Sequence, residues 1–219
     1  MRLRRTRSRA ALMPVVTISR QYGSGGSEVA ERVARALGWR LYDNAVVDEV
    51  AARLGIAASI VTADEERRPS LSERIASAIA LSAPEMMPTV GDPTLSPDED
   101  RIVEVTARVV QEAVLAGPAV IVGRGAQALL AARSDAIHVF CYAPPDALAA
   151  YAITNLGVKP ADAKGMVSEM NARREEYIRR HWHRDWRDPA NYHLCINTAW
   201  LGLDGAAELI TRIAHEQFG

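Results

Sequence analysis

The sequence predicts an α/β domain in which helices cover both faces of a parallel β-sheet. Short apolar runs alternate with helical patterns along most of the chain, which is typical of this fold class. The runs are continuously apolar, as expected for strands buried on both faces. A glycine-rich turn joins the first run to the first helical pattern. We expect strands near residues 15–19, 40–43, 119–123, 137–142 and 192–197.

The first strand and helix surround that turn, and we expect them to form a phosphate-binding loop. An apolar run leads into Gly23, Gly25 and Gly26, and valine or leucine then recurs every fourth residue. Glycine lets the backbone approach a ligand closely, and a helix N-terminus offers free N–H groups and a favourable dipole. The alternative is a tight strand-to-helix turn that binds no ligand.

Two known loop motifs match this turn, each imperfectly. A P-loop reads G-x-x-x-x-G-K-[ST], and its hydroxyl residue, a magnesium ligand, aligns with Ser27. Gly26 then stands at the lysine position and Arg20 at the first glycine. A dinucleotide fingerprint, G-x-G-x-x-G, matches at two of its three glycines, and Asp43 lies at a suitable distance for a ribose contact. Residues alone leave both possibilities open.

Composition indicates an ordinary soluble domain. The chain has 219 residues, of which 48% are hydrophobic and 24% charged, and its formal net charge is −1. This balance gives no reason to expect nucleic acid as a general partner, and no apolar run approaches transmembrane length. Cys141 and Cys195 lie in apolar, strand-like runs, so we expect both to be reduced core residues of a cytoplasmic protein.

The predicted domain spans residues 14–219 and follows a basic tail at residues 1–13. Five arginines occur among the nine residues after Met1, and we expect a disordered extension, with a transit-like or nucleic-acid-binding tail as the alternative. A helical insert is expected at about 45–100, with a proline-rich loop inside it. Predicted helices are Ala45–Leu54, Leu71–Leu81, one from Ser96-Pro97 to Gly117-Pro118, one opening at Pro144-Pro145, and Ala206–Ile213.

Arginines follow the third strand and fill a later segment. Arg124 stands between two glycines directly after residues 119–122, where parallel sheets bind ligands. Residues 171–188 hold six arginines, two histidines and two tryptophans against four acids. These arginines either clamp phosphates or form a solvated helix face with ion pairs such as Glu175 with Arg179. The two tryptophans are expected to pack in the core, and His181-x-His183 has poor spacing for a metal site on a helix.

The order of these features resembles the cytidylate kinase-like family of P-loop nucleoside monophosphate kinase relatives. The resemblance covers about Val15 to Ala214 and is carried by ISRQYGSGG, LYD, VGRGA, R-x-x-Y at Arg174–Tyr177 and DWRDPANYHLCINT. It favours the P-loop over the dinucleotide fingerprint. It implies a P-loop NTPase-type three-layer sandwich with a five-stranded parallel sheet, a helical insert and an arginine-rich lid at about 155–190.

The resemblance also implies a nucleotide kinase. ATP with Mg²⁺ would be the donor, and CMP or dCMP is the acceptor that the family suggests. By motif position Gly23, Ser24, Gly25, Gly26 and Ser27 would hold donor phosphates, with Ser27 on the magnesium ion. Arg124, Asp43 and Asn171 would contact the acceptor, and Arg174 matches a family arginine. We hypothesise that Arg20 and the lid arginines, chiefly Arg174 and Arg179, take over from the absent lysine.

Three acidic residues of the family pattern are also replaced, by Gly125, Asn171 and His193. Each lost carboxylate could have bonded a ribose hydroxyl or a base amine, so these replacements bear on the implied CMP specificity. A catalytically weak nucleotide-binding regulatory protein is the main alternative. A nucleic-acid binder and any membrane association are not expected, and the oligomeric state is left open.

Overall fold

A computed structural model describes residues 13–43 and 97–219 of the chain. The basic tail, the predicted helices Ala45–Leu54 and Leu71–Leu81 and the proline-rich loop lie outside these described residues. The predicted helix from Ser96-Pro97 is confirmed as Pro97–Ala116.

Five parallel strands form one sheet in the order β2-β3-β1-β4-β5. Strand β1 lies at the centre, where Val15 pairs with Ala119 of β3 and with Ala136 of β4. The prediction of a five-stranded parallel sheet is confirmed, with boundaries shifted by at most two residues. The strands are β1 Val15–Arg20, β2 Arg40–Tyr42, β3 Ala119–Val122, β4 Ala136–Tyr142 and β5 Leu194–Asn197.

Helices connect the strands and cover both faces of the sheet. The first helix is capped by Gly38, whose left-handed conformation (φ 67°) lets its N–H group bond the Ala34 and Arg35 carbonyl oxygens. In the described part of the chain the helices are α1 Gly26–Leu37, α2 Pro97–Ala116, α3 Ala126–Leu129, α4 Pro145–Leu156, α5 Ala163–Trp182, α6 Thr198–Leu201 and α7 Leu203–Phe218, with a 3₁₀ turn at Pro189–Asn191.

The core has two main layers because successive strand residues point to opposite faces. Val16 and Ile18 of β1 pack against α1 and α7 on one face. Val15 packs on the other face, against α2 and α3. A smaller cluster joins Tyr22, just after β1, to α4 and α5. The end of β1 is therefore held from three directions.

The two cysteines differ in burial, so the expectation of two core thiols is half wrong. Cys141 on β4 is buried, whereas Cys195 on β5 is exposed. Strand β5 is the edge of the sheet, where only one side chain in two faces the core. Among the described helices, none has the length and apolar character needed to cross a membrane.

Candidate active site

The turn after β1 is anchored to the end of β4. The Gln21 N–H donates to the Cys141 carbonyl oxygen at 2.9 Å, and the Gln21 side-chain oxygen accepts from the Ala143 N–H at 3.1 Å. The Ser24 hydroxyl donates to the Gln21 carbonyl at 2.8 Å. These bonds hold the glycine-rich turn at the carboxyl edge of the sheet, where the sequence predicts a ligand site.

Gly23 and Gly25 are required by close packing as well as by conformation. Both have positive φ angles, 79° and 68°. A Cβ atom at Gly23 would lie 2.3 Å from the Leu148 carbonyl oxygen, and one at Gly25 would lie 2.6 Å from the Leu203 side chain. The turn is therefore pressed between α4 and α7, and residues 22–26 are buried.

The first turn of α1 presents backbone N–H groups that no side chain caps at Gly25. Ser27 is the second residue of this helix and is partly exposed. Glu28, an acid in the same turn, accepts hydrogen bonds from Arg32 at 2.5 Å and from the Tyr151 hydroxyl at 2.8 Å. Because these partners engage the carboxylate, the N-terminal dipole of α1 remains suited to an anion.

Arg20 is the last residue of β1 and is buried, with 3% of its surface exposed. Its side chain occupies the space beside two glycines. A Cβ at Gly26 would lie 2.5 Å from the Arg20 Cβ, and a Cβ at Gly123 would lie 2.1 Å from its Nη1. Its Nη2 lies 3.8 Å from an Asp43 oxygen. Arg20 thus crosses from the glycine turn to the ends of β3 and β2, and the possibility that it points to solvent is excluded.

Arg124 lies in the turn after β3 and is also buried, at 4% exposure. Its φ angle of 58° is unusual for an arginine, and glycines with φ 67° flank it. Burial, followed by repulsion from Arg20, lowers the pKa of Arg124 to about 10. A desolvated guanidinium beside a second one is a strong attractor for an anion.

Arg174 and Asn171 reach the same edge from helix α5. The Arg174 guanidinium donates to the Arg20 carbonyl oxygen at 2.5 Å and lies 6.0 Å from the centre of the Tyr22 ring. The Asn171 side-chain oxygen accepts the Tyr22 N–H at 2.8 Å. Both side chains are 4% exposed, so they are built into the site and do not stand on a separate arm.

The structure does not bring Arg179 to this edge. Its side chain is 68% exposed and pairs with Glu176 on the outer face of α5. Arg173 pairs with Glu169 on the same helix, and Arg187, which follows the helix, pairs with Glu175. Ion pairs thus cover this face, although the partners differ from the expected Glu175–Arg179 pair. One helix therefore carries both predicted alternatives, on different faces.

Sequence reasoning missed the packing of Trp182 on Gly125. A Cβ at Gly125 would lie 2.3 Å from the Trp182 ring, and Tyr177 meets that ring edge-on at 5.1 Å. The sequence signal for this contact was Gly125 itself, the second glycine of Gly123-Arg124-Gly125. Trp186 is 3% exposed and packs edge-on against Phe140, in agreement with the expected packing role.

His193, which stands where the family pattern has an acidic residue, lies away from the glycine turn. His193 precedes β5, and its Nδ1 accepts the His138 main-chain N–H at 2.9 Å. His138 lies four residues before the end of β4, about 13 Å from the ligand-facing edge at the usual rise per residue. The replacement at His193 therefore lies away from the arginine cluster.

A strand, a glycine turn at a helix N-terminus and a parallel sheet of order β2-β3-β1-β4-β5 define a P-loop kinase fold. Residues 15–199 match the cytidylate kinase-like family, and the chain belongs to that family.

Solved structures agree with the fold. An uncharacterised protein from Eubacterium ventriosum has a TM-score of 0.66 at 21% identity, with 92% of this chain and 98% of that chain covered. A shikimate kinase from Acinetobacter baumannii in complex with shikimate has a TM-score of 0.51 at 14% identity, with 95% and 97% covered. A gluconokinase from Sinorhizobium meliloti gives the same values. A search of curated protein sequences finds no match.

Proposed function

We propose that the chain transfers a phosphoryl group from ATP to a small acceptor, with CMP or dCMP as the first candidates. Membership of a kinase-like family and the P-loop kinase fold support phosphoryl transfer in general. The observation that carries the proposal is the convergence of Arg20, Arg124 and Arg174 at one sheet edge beside the glycine turn.

The glycine turn and the first turn of α1 fit donor phosphates. The backbone N–H groups at the start of α1 have no side-chain cap. The Glu28 carboxylate is held by Arg32 and Tyr151. Ser27 would supply a hydroxyl to a magnesium ion. ATP·Mg²⁺ would supply the phosphoryl group and most of the charge neutralisation. The protein would supply positioning and fixed positive charge.

We assign to Arg20 the role of the missing P-loop lysine, which is to contact the outer phosphates of the donor. A lysine at position 26 would collide with the Arg20 Cβ, and the Arg20 side chain begins where that lysine would begin. An arginine keeps its charge when buried and can donate several hydrogen bonds to phosphate oxygens. Asp43, 3.8 Å away, orients the guanidinium and is also a candidate contact for the acceptor.

Arg124 and Arg174 divide the remaining roles. Arg124 follows a buried strand and is held between two glycines, so we assign it to an anionic group of the acceptor. Arg174 donates to the Arg20 carbonyl, which couples it to the glycine turn, and we assign it to charge that develops during transfer. Asn171 supports the turn through Tyr22 and is the third candidate on the acceptor side.

The acceptor is the part of the proposal that needs a direct test. The full chain should be assayed for ADP formation from ATP·Mg²⁺ with CMP, dCMP, UMP, AMP and GMP, and with shikimate and gluconate, which the fold relatives suggest. We expect turnover with at least one acceptor and loss of turnover on Arg124→Ala. Failure of every acceptor to raise ADP formation above the ATP-only rate would contradict the kinase assignment.

A catalytically weak nucleotide-binding regulatory protein is the second candidate. The absence of the P-loop lysine, whose position is taken by Gly26, favours it, because that lysine reaches the outer phosphates of the donor. Calorimetric binding of ATP and ADP without turnover would support this candidate. Replacement of Gly25 by valine should abolish nucleotide binding under either candidate.

A further inference from the structure

A second polar site lies on the α3 side of the sheet, away from the glycine turn. A cavity of about 180 Å³ opens between α3, β4 and the segment before β5. This volume is several times the roughly 30 Å³ share of one water molecule. No acidic side chain belongs to the described residues that line it, which are Gln127, Ala131, His138, Arg184, Ala190, Asn191, Tyr192 and His193.

His138 is a buried residue in the wall of this cavity, with 3% of its surface exposed. Its Nδ1 lies 2.8 Å from the Thr17 hydroxyl on β1. Its Nε2 is sealed from solvent and has no hydrogen-bond partner within the described residues, and the nearby Leu130 carbonyl favours a proton on the ring. Because Nε2 has almost no accessible surface, His138 forms part of the cavity wall and is not itself a ligand contact.

The other polar groups favour a negative ligand. His193 accepts the His138 N–H through Nδ1, so the proton of the neutral His193 ring is on Nε2, which can donate. The Arg184 guanidinium is partly buried, and its Nη1 donates to the Asn191 side-chain oxygen at 3.0 Å, which holds the positive charge at the cavity. The Gln127 amide donates to the Asn191 carbonyl at 2.7 Å and steadies the same residue. A metal ion would be repelled by Arg184, whereas an oxyanion would be attracted.

We propose that this cavity binds a small oxyanion, a phosphate or a carboxylate, between Arg184 and His193 and beside the buried ring of His138. Burial lowers the pKa of His138 to about 4, and the positive charge of Arg184 contributes, so a bound anion should raise that pKa. The proposal does not depend on kinase activity.

The test uses histidine ring Cε1–Hε1 NMR signals of the full chain. Sodium phosphate and, separately, sodium acetate are titrated at fixed pH and at ionic strength held constant with sodium chloride. We expect saturable shifts of the His138 and His193 signals with midpoints in the millimolar range, about 4 kcal/mol of binding. Shifts with either anion support the site, and the response to phosphate against acetate identifies the oxyanion class. No saturable shift with either would overturn it and leave a water-filled structural cavity.

Matched variants separate this cavity from the arginine cluster at the sheet edge. Arg184→Gln should weaken the shifts about tenfold or more, since a charge-assisted hydrogen bond is lost. Arg187→Gln, an exposed arginine paired with Glu175, should keep them, and so should Arg124→Gln. Arg184→Lys keeps the charge and serves if Arg184→Gln does not fold, with weaker but saturable shifts expected. Undiminished shifts in a folded Arg184→Gln, or their loss in Arg124→Gln, would contradict the proposed site.

Discussion

The sheet edge and the outer face of α5 use the same side chain in opposite ways. At the edge, Arg20, Arg124 and Arg174 are 3–4% exposed and lie against glycines, a carbonyl oxygen and one another. On the outer face, Arg179 is 68% exposed and pairs with Glu176. Exposed ion pairs contribute little to stability, whereas desolvated arginines are costly to hold and are suited to anions. Which arginines are buried is therefore a better guide to an anion site than the number of arginines in a segment.

The largest expected effect is a loss of catalytic activity, and it tests whether the buried arginines act differently from the exposed ones. On the best acceptor, Arg124→Ala and Arg174→Ala should each lower kcat/KM by on the order of 10³-fold, the range known for arginines that stabilise a transferring phosphoryl group. Arg124→Ala should act chiefly through KM and Arg174→Ala chiefly through kcat.

Arg179→Ala is the matched control, with less than about a twofold change expected, as for an exposed ion-pair residue. Thermal melting of each variant checks that the loss is not unfolding, which matters for Arg174 because it bonds the Arg20 carbonyl. Equal effects of Arg174→Ala and Arg179→Ala would remove the distinction between the two regions.

Buried and exposed histidines should also differ, in how strongly each makes the stability of the fold depend on pH. His138 is buried and its pKa is lowered from 6.5 to about 4, first by burial. The unfolded chain therefore binds a proton more readily than the folded chain between these pH values. Stability is complete above about pH 6.5 and falls as the pH drops toward 4, by about 3 kcal/mol at most from this residue.

Urea unfolding between pH 4 and pH 7 measures this change. A His138→Gln variant should be less stable at pH 7 and should show a flatter pH dependence. Exposed His183, replaced by Gln, should leave the slope as it is in the wild type. An unaltered slope in His138→Gln would place the acid sensitivity elsewhere.

Glycines offer a comparison in which conformation is matched and only space differs. Gly125 and Gly157 have φ angles of 67° and 70°, but a Cβ at Gly125 would meet the Trp182 ring at 2.3 Å, whereas Gly157 has open space. Gly157→Ala should cost about 1 kcal/mol from backbone strain alone. Gly125→Ala should cost about 2–4 kcal/mol, because overpacking adds to that strain. Denaturant titration measures both, and Trp182→Leu should recover part of the loss in Gly125→Ala.

The smallest expected effect concerns the outer face itself. A double-mutant cycle on Glu176 and Arg179 should give a coupling of about 0.5 kcal/mol or less, decreasing with added salt. The cycle compares the free energies of unfolding of Glu176→Ala, Arg179→Ala and the double variant. A coupling above about 2 kcal/mol would show that exposure does not decide the value of these arginines.

Strand positions and the glycine turn were predictable because both depend on local sequence. Apolar runs and turn residues located all five strands, and Gly23 and Gly25 marked the turn after β1. The burial of Arg174 against the exposure of Arg179 was not predictable, because it depends on which face of α5 meets Tyr22 and β1. The exposure of Cys195 depends on β5 being an edge strand, which composition does not reveal.

The second cavity could not be foreseen for a related reason. His138 lies on β4, far along the chain from Arg184 and His193, and the register of β4 with β5 brings them together. The family resemblance places His193 at the position of a lost carboxylate, but motif order does not say how far along a strand a residue lies. The pairing of β4 with β5 fixes that position.

The contact between Arg20 and Gly26 bears on how such a turn changes during evolution. The two departures from the P-loop motif, an arginine for the first glycine and a glycine for the lysine, occupy one shared volume, since a Cβ at Gly26 would lie 2.5 Å from the Arg20 Cβ. Gly26→Lys by itself is blocked by the arginine, and Arg20→Gly by itself removes a positive charge with no replacement. A route from this turn to one with the lysine therefore passes through a defective intermediate, and the two positions exchange only as a pair.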